Sequence, residues 1–337
     1  MPWVASTQKA GWKLRFITKK EVNVSLPKPD DISKSVLVTH KSCMDGSGCV
    51  IMYMAAGGKR ENVVFVAAGG VERFIRESQL MLQDKFIIFA DVGLNPGSAR
   101  YADELEKRGN CVLLDHHVTS SYLVDRHWCK ISNEACGTEM LRRYLVENGF
   151  LDGDNTALKN FAITIDDHDR FQQKIPHAEK LGELAVFYGQ DEFINRFSNP
   201  WRFEHFQKSA IPPFSDFDIE LCKILDSNAL RGAERAAKNL IVHVINYFDT
   251  PVKIGYILSG NLNTTKVLME VLRLRPDVDI VAQIMLDAGK VSMRSRNDGP
   301  DVSKLAMEFR GGGHVHAAGH HISQETINHL IEEIHPL

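Results

Sequence analysis

Asp115-His116-His117 directly follows the apolar run Val112-Leu113-Leu114. A buried strand would not tolerate one carboxylate and two imidazoles unpaired, so the triplet belongs at the strand's carboxyl end, where open α/β sheets gather ligands. Aspartate and histidine also bind hard to borderline divalent cations. Taken alone, the triplet reads equally well as a metal site or a polar turn. Three further segments bear on the choice, because His40 with Asp45, Asp91, and Asp166-Asp167-His168-Asp169 each follow an apolar run. One Asp after a strand is often only the N-cap of the next helix. Four such segments in one α/β unit point to a shared pocket at one sheet edge. Two divalent ions would let these carboxylates sit together ionised. Ions roughly 3.5–4 Å apart clamp the attacking and leaving oxygens of an in-line displacement at phosphorus. Histidine with several aspartates, and no cysteine-rich set, favours Mn²⁺ or Mg²⁺ over structural zinc, although zinc remains admissible.

A second cluster lies near the C-terminus. Gly311-Gly312-Gly313 lets backbone N–H groups approach an anion closely, and His314 can donate to phosphate. Arg294, Ser295 and Arg296 follow a strand-like run, and an arginine fork grips phosphate bidentately.

The elements that must position these residues alternate. Strands are expected at 36–38, 62–67, 86–90 and 111–114, with helices over 49–56, 71–83 and 98–108. This alternation predicts parallel βαβ units with right-handed crossovers. Helices follow at 137–148 and 156–165, the latter ending before the acidic run from Asp166. Residues 182–248 read as mostly helical, with 215–247 a long helix or helix pair. Trp201, Phe203 and Phe206 read as core cover. Strand 252–258, helix 264–274, a hairpin of 280–286 and 290–294, and a helix at 302–309 make a second, smaller α/β unit. The expected division is 1–34 an N-terminal extension, 35–190 a catalytic domain, 191–250 a helical linker and 251–337 a substrate-binding domain.

Composition bounds the partners. The chain has 337 residues and a net charge of −3, which excludes a broadly cationic nucleic-acid coat protein. Six cysteines without CxxC or disulfide-like spacing point to a reducing cytoplasm. No long apolar segment predicts a signal peptide or a membrane span.

Thr-His-x-x-Cys-x-Asp-Gly at 39–46, Asp91, Asp115-His116-His117 and Asp-x-Asp-x-Phe at 167–171 are similar to the four ordered motifs of the DHH phosphoesterases. Arg-Gly-Gly-Gly-His-Val-His-Ala-Ala-Gly at 310–319 resembles the signature of the DHH-associated C-terminal (DHHA1) domain. The resemblance runs from about residue 36 to 321. It implies a two-lobed α/β protein: a parallel-sheet DHH domain, a helical linker and a smaller mixed-sheet domain.

By the same resemblance His40, Asp45, Asp91, His116 and Asp167 match metal ligands, with Asp91 bridging two divalent ions, Mn²⁺ favoured and Mg²⁺ or Zn²⁺ admissible. Asp115 matches a residue that is either a ligand or an orienting partner, and His117 one that faces the scissile phosphate; both are expected to be catalytic. Arg294, Ser295, Gly311, Gly312, Gly313 and His314 match the substrate grip. Asp166 competes with Asp167 for the fourth motif, Asp169 reads as structural or as a partner that orients a ligand, and His168 as a solvent-facing turn residue. The first motif departs from the family, with Cys43 near the place of an aspartate. Either a thiolate joins the first metal site or that site lacks a ligand; sulfur's softness against Mn²⁺ favours the latter.

The expected activity is metal-dependent hydrolysis of short oligonucleotides to mononucleotides from one end. The modest charge argues against long strands, which need an extended basic track. Rival readings are a cyclic dinucleotide phosphodiesterase, a 3′-phosphoadenosine 5′-phosphate phosphatase, an exopolyphosphatase and, in a different class, a catalytically weakened nucleotide sensor. The expected partner is a short oligonucleotide or nucleotide, with no membrane, and a homodimer is compatible with this reading.

Overall fold

The computed structural model describes residues 25–323 except 68, 69, 83, 200–213, 248 and 259–263, together with 325, 326 and 328. Trp201, Phe203 and Phe206 lie outside the described residues, as do residues 1–24 of the expected extension.

The first lobe is a parallel sheet of β1 (Val36–His40), β2 (Val63–Val66), β3 (Ile87–Ala90), β4 (Cys111–Asp115) and β5 (Cys129–Ile131), in the order β2-β1-β3-β4-β5. Val36 to Val38, Ile87 to Ala90 and Cys111 to Leu114 are buried, as unbroken apolar runs in a sheet covered on both faces must be. Each such Val, Leu, Ile or Phe contributes roughly 1.5–3 kcal/mol. One face packs on α1 (Met44–Ala55), α4 (Gly137–Glu147), α5 (Thr156–Asp169) and α6 (Ala178–Phe197), which breaks at Gly189. The other face packs on α2 (Val71–Leu82) and α3 (Pro96–Glu106). Crossovers leave β1 toward opposite edges, so the strand order switches between β1 and β3. Ligand sites form outside the carboxyl ends of strands at such a switch.

α7 (Asp216–Lys238), started by a Ser215–Asp218 capping box, leads to the second lobe. That lobe is a mixed sheet in the order β10-β11-β9-β8-β7-β6: β6 (Ile241–Tyr247), β7 (Thr250–Leu258), β8 (Ile280–Met285), β9 (Lys290–Ser295), β10 (Gly312–His314) and β11 (Ala317–His321). Only β7 and β8 pair in parallel. Helices α8 (Thr264–Leu274) and α9 (Val302–Glu308) cover opposite faces.

Four elements differ from expectation. Residues 241–247 are not helix: α7 ends at Lys238, and the β-branched run pairs antiparallel with β7. α1 begins at Met44, because the Cys43 sulfur caps the Gly46 N–H. α5 runs on through Asp169, so its acids are helical. The glycine run is half a β-hairpin, with Gly312 to His314 paired to Ala317 to Gly319.

Candidate functional site

β1, β3 and β4 deliver His40, Asp91 and Asp115 to one edge of the first sheet. Asp91 has left-handed backbone (φ 58°). Such a conformation costs of order 1–3 kcal/mol outside glycine and persists only where its surroundings impose it. Gly137 leaves room for it, since a Cβ there would lie 2.5 Å from Asp91 Cβ. Asp91 is thereby aimed between two groups. Its Oδ1 lies 3.3 Å from His116 Nε2. Its Oδ2 lies 3.2 Å from Cys43 Sγ and 4.0 Å from His40 Nδ1.

Asp45 completes the group from the first turn of α1. It is fixed by the α4 N-terminus, where the Gly137 and Thr138 N–H groups donate to its oxygens at 2.7 Å each. His116 Nε2 stands 3.7 Å from Asp45 Oδ2 and 3.5 Å from Asp169 Oδ2. Asp169 Oδ2 is buried with no hydrogen-bond partner among the described residues. Burial and then the charge of Asp45 push the Asp169 carboxyl up to about 7 and Asp91 well above the carboxylate range. Donors on one ion at 2.0–2.3 Å lie roughly 3–3.7 Å apart. The spacing, the orphaned carboxylate oxygen and the crowding of like charges all fit divalent cations, whose charge would reverse that upward push.

Asp115 stands apart from these donors. Buried, it accepts from the His116 N–H at 2.9 Å, from His117 Nδ1 at 2.7 Å and from the Ser120 hydroxyl. Burial works against its ionisation, but the hydrogen bond and charge of His117 hold its carboxyl below the ordinary value. Burial would likewise lower His117, yet Asp115 outweighs it and raises the imidazole to about 9. Asp115 therefore orients His117, and the ligand role expected for it has no geometric support.

Asp167, the expected fourth-motif ligand, is also displaced from the cluster. Its carboxylate accepts from the Lys174 and Ile175 N–H groups at 2.9 and 3.2 Å, pinning the chain after α5. Asp166 binds the Arg170 guanidinium and the Cys136 N–H. Asp169, expected to be structural or to orient a ligand, is the acid of this run that faces His116. His168 is not a solvent-facing turn residue: its ring packs where a Gly182 Cβ would be, and burial, then Arg294, lowers it to about 4.

The second lobe closes over this cluster. The His314 ring lies 5.8 Å from that of His116, and burial followed by the charges of His116 and His117 lowers it to about 4, leaving it neutral. Between the lobes is a cavity of about 440 Å³ lined by Asp169, Phe171, Met269, Arg294 and His314, among others. Arg294 donates to Ser292 Oγ at 3.1 Å, the Met293 carbonyl at 2.9 Å and Thr265 Oγ1 at 2.9 Å. Its Nε is buried without a partner among the described residues. Burial lowers the guanidinium to about 10, which leaves it charged at neutral pH. A second cavity, about 390 Å³, opens on the other side of the cluster, where His40, Asp91 and His117 meet Leu94, Asn95 and Tyr122. The cluster thus lies between two spaces.

The remaining expected grip residues divide. Ser295 is fully buried, its hydroxyl donating to the Pro300 carbonyl at 2.7 Å and pairing with His316 Nδ1 at 3.0 Å, so it braces the turn after β9 and does not face the cavity. Arg296 donates to the Leu272, Arg275 and Val278 carbonyls at the end of α8. Gly311 and Gly313 are required by close packing, since a Cβ would meet Gly319 O at 2.2 Å or Ala317 O at 2.5 Å. Gly312 has open space around it. Lys266, which carried no sequence signal, ties the lobes: its ammonium from α8 reaches Glu183 of α6 at 2.9 Å and pairs with Asp226 of α7.

Residues 249–336 match the DHHA1 domain. The chain is 26% identical over 321 residues, 86% of its own length and 73% of the relative's, to the oligoribonuclease NrnB of Bacillus subtilis. Two solved structures align more distantly. An uncharacterized protein from Helicobacter pylori gives a TM-score of 0.43 at 19% identity, covering 89% of this chain and 98% of that one. A pGpG-specific phosphodiesterase from Vibrio cholerae gives 0.48 at 12%, covering 89% and 97%. No helix among the described residues is long and apolar enough to cross a membrane. Residues 249–336, most of the second lobe, thus match a DHHA1 domain, and the chain as a whole is similar to a DHH-family oligoribonuclease.

Proposed function

We propose that this protein hydrolyses short oligonucleotides to mononucleotides in the cleft between its lobes. The observation that carries the reading is the two-sided placement of Asp91, one oxygen toward Cys43 and His40 and the other toward His116, whose ring lies 5.8 Å from that of His314 in the second lobe. Likeness to an oligoribonuclease supports the substrate class.

The ligand set is His40, Asp45, Asp91, His116 and Asp169. Ions bound there, Mn²⁺ favoured, supply Lewis-acid activation of the phosphoryl group and of water. Arg294 holds a substrate phosphate with the donor it leaves unpaired. His314, neutral, offers a hydrogen bond to the same group. His117 is held by Asp115 through Nδ1, so its Nε2 carries the proton that the leaving oxygen needs. A cavity on each side of the cluster accommodates one nucleoside on each side of the scissile phosphate. Six free cysteines support a cytoplasmic setting.

The test is turnover with excess Mn²⁺ on end-labelled RNA and DNA from dinucleotide to decamer. Mononucleotide release fastest on the shortest chains is expected. Failure to cleave any dinucleotide would remove the reading, and binding without turnover would favour a nucleotide sensor.

A further inference from the structure

Asp91 presents its two oxygens to chemically different neighbours. On the Oδ1 side, His116 Nε2 stands 3.3 Å from Asp91 Oδ1, 3.7 Å from Asp45 Oδ2 and 3.5 Å from Asp169 Oδ2, so that half offers three carboxylates and one imidazole. Around Oδ2 stand Cys43 and His40, so the other half offers one carboxylate, one imidazole and one sulfur. A sulfur and an oxygen on one tetrahedral ion, at ~2.3 Å and 2.0–2.2 Å, lie roughly 3.5–3.7 Å apart. Cys43 Sγ, which donates to Asp91 Oδ2 at 3.2 Å, is within roughly half an ångström of that separation. The His40 ring, 32% exposed, has room for the few tenths it lacks. Cys43 is also held in place, because its sulfur accepts the Gly46 N–H at 3.1 Å as the N-cap of α1. No other cysteine joins a group of metal donors among the described residues.

Sulfur donors select Zn²⁺, Co²⁺ or Fe²⁺ over Mn²⁺ and Mg²⁺, and carboxylates do the reverse. We infer that the centre is asymmetric: Cys43 is a ligand of the His40–Asp91 half, which takes a thiophilic divalent cation, and the Asp45–Asp91–His116–Asp169 half takes a harder ion of the Mn²⁺ class. The inference rests on the dinuclear reading above and names the ion class of one half. The sulfur binds as thiolate, its proton leaving to solvent. Cys43 is thus a replacement for an oxygen ligand, not a gap in the set.

Metal-free protein titrated with Co²⁺, read by absorption and by counting bound ions, tests this. Wild type is expected to bind two Co²⁺ and to show an intense near-ultraviolet thiolate-to-cobalt charge-transfer band. Cys43→Ser, which keeps a good helix cap, is expected to lose the band and retain one ion. Cys43→Asp is expected to bind two ions without the band. Mixed Zn²⁺ and Mn²⁺ loading of wild type is expected to leave one of each bound. Two bound Co²⁺ without the band, a band that survives Cys43→Ser, or mixed loading that fills both halves with one metal overturns the asymmetry while the dinuclear reading stands. Protein that binds no Co²⁺ overturns both.

Discussion

On the first-lobe side of the cleft, backbone fixes most of what faces the cluster. Asp45 is gripped by two N–H groups of α4, Asp91 sits in a left-handed conformation against Gly137, which leaves it room, and Asp115 locks His117. The second-lobe side is held differently. Arg294 leans on a carbonyl and two hydroxyls with its Nε unpaired among the described residues, and His314 rides on a short hairpin that glycines allow to pack. Position to within an ångström matters most where ions and reacting oxygens are placed, so rigidity is concentrated there. The other wall needs only to present charge to a substrate whose ends vary. The first lobe should therefore govern turnover and metal content, and the second should govern substrate affinity.

Asp169→Asn gives the largest effect on that division. A lost ligand is expected to cost more than the ~10–100-fold in metal affinity typical of removing a ligand's orienting partner. Asp167→Asn, two residues away, is expected to keep its metal and lose about 1 kcal/mol of stability per weakened hydrogen bond. Metal analysis and thermal melting of the two variants separate them, and equal metal loss from both would break the assignment of Asp169. Arg294→Ala comes next. Loss of one charged hydrogen bond to substrate, about 1.5–3 kcal/mol, is expected to raise KM by roughly 10–100-fold with metal content unchanged. A fall in kcat with KM unchanged would place Arg294 in the chemistry and blur the contrast between the walls. Ser295→Ala is the smallest: about 1 kcal/mol of stability for its hydrogen bonds, with KM within about twofold of wild type. A large rise in KM would return Ser295 to the substrate grip.

Much of this was legible in the residues. Strand runs such as Ile87 to Ala90 are apolar enough to be buried on both faces, and each ends in a ligand-type residue, which locates the sheet edge. The fourth motif was harder. Asp166, Asp167 and Asp169 lie on one helix, where each step turns the side chain by about 100°. Which acid faces His116 depends on the phase of α5 against the sheet, and spacing to Phe171 carries no such information. The helix was also expected to stop at 165, which made a turn of what is its last turn of helix. β6 was lost for a different reason: no proline or glycine separates Ile241 to Ile245 from the long helix before them, and only the β-branched run after Asn239 marks the change. Ser295 is polar beside Arg294, and sequence does not tell an inward hydroxyl from an outward one. Lys266 was invisible because its partners Glu183 and Asp226 are distant in the chain.

The central claim is that Asp91 joins two ion sites, and elemental analysis of metal bound per chain in wild type and Asp91→Ala tests it most directly. The account predicts two ions in wild type and loss of both in the variant, with circular dichroism unchanged. A folded Asp91→Ala protein that keeps both ions would contradict it.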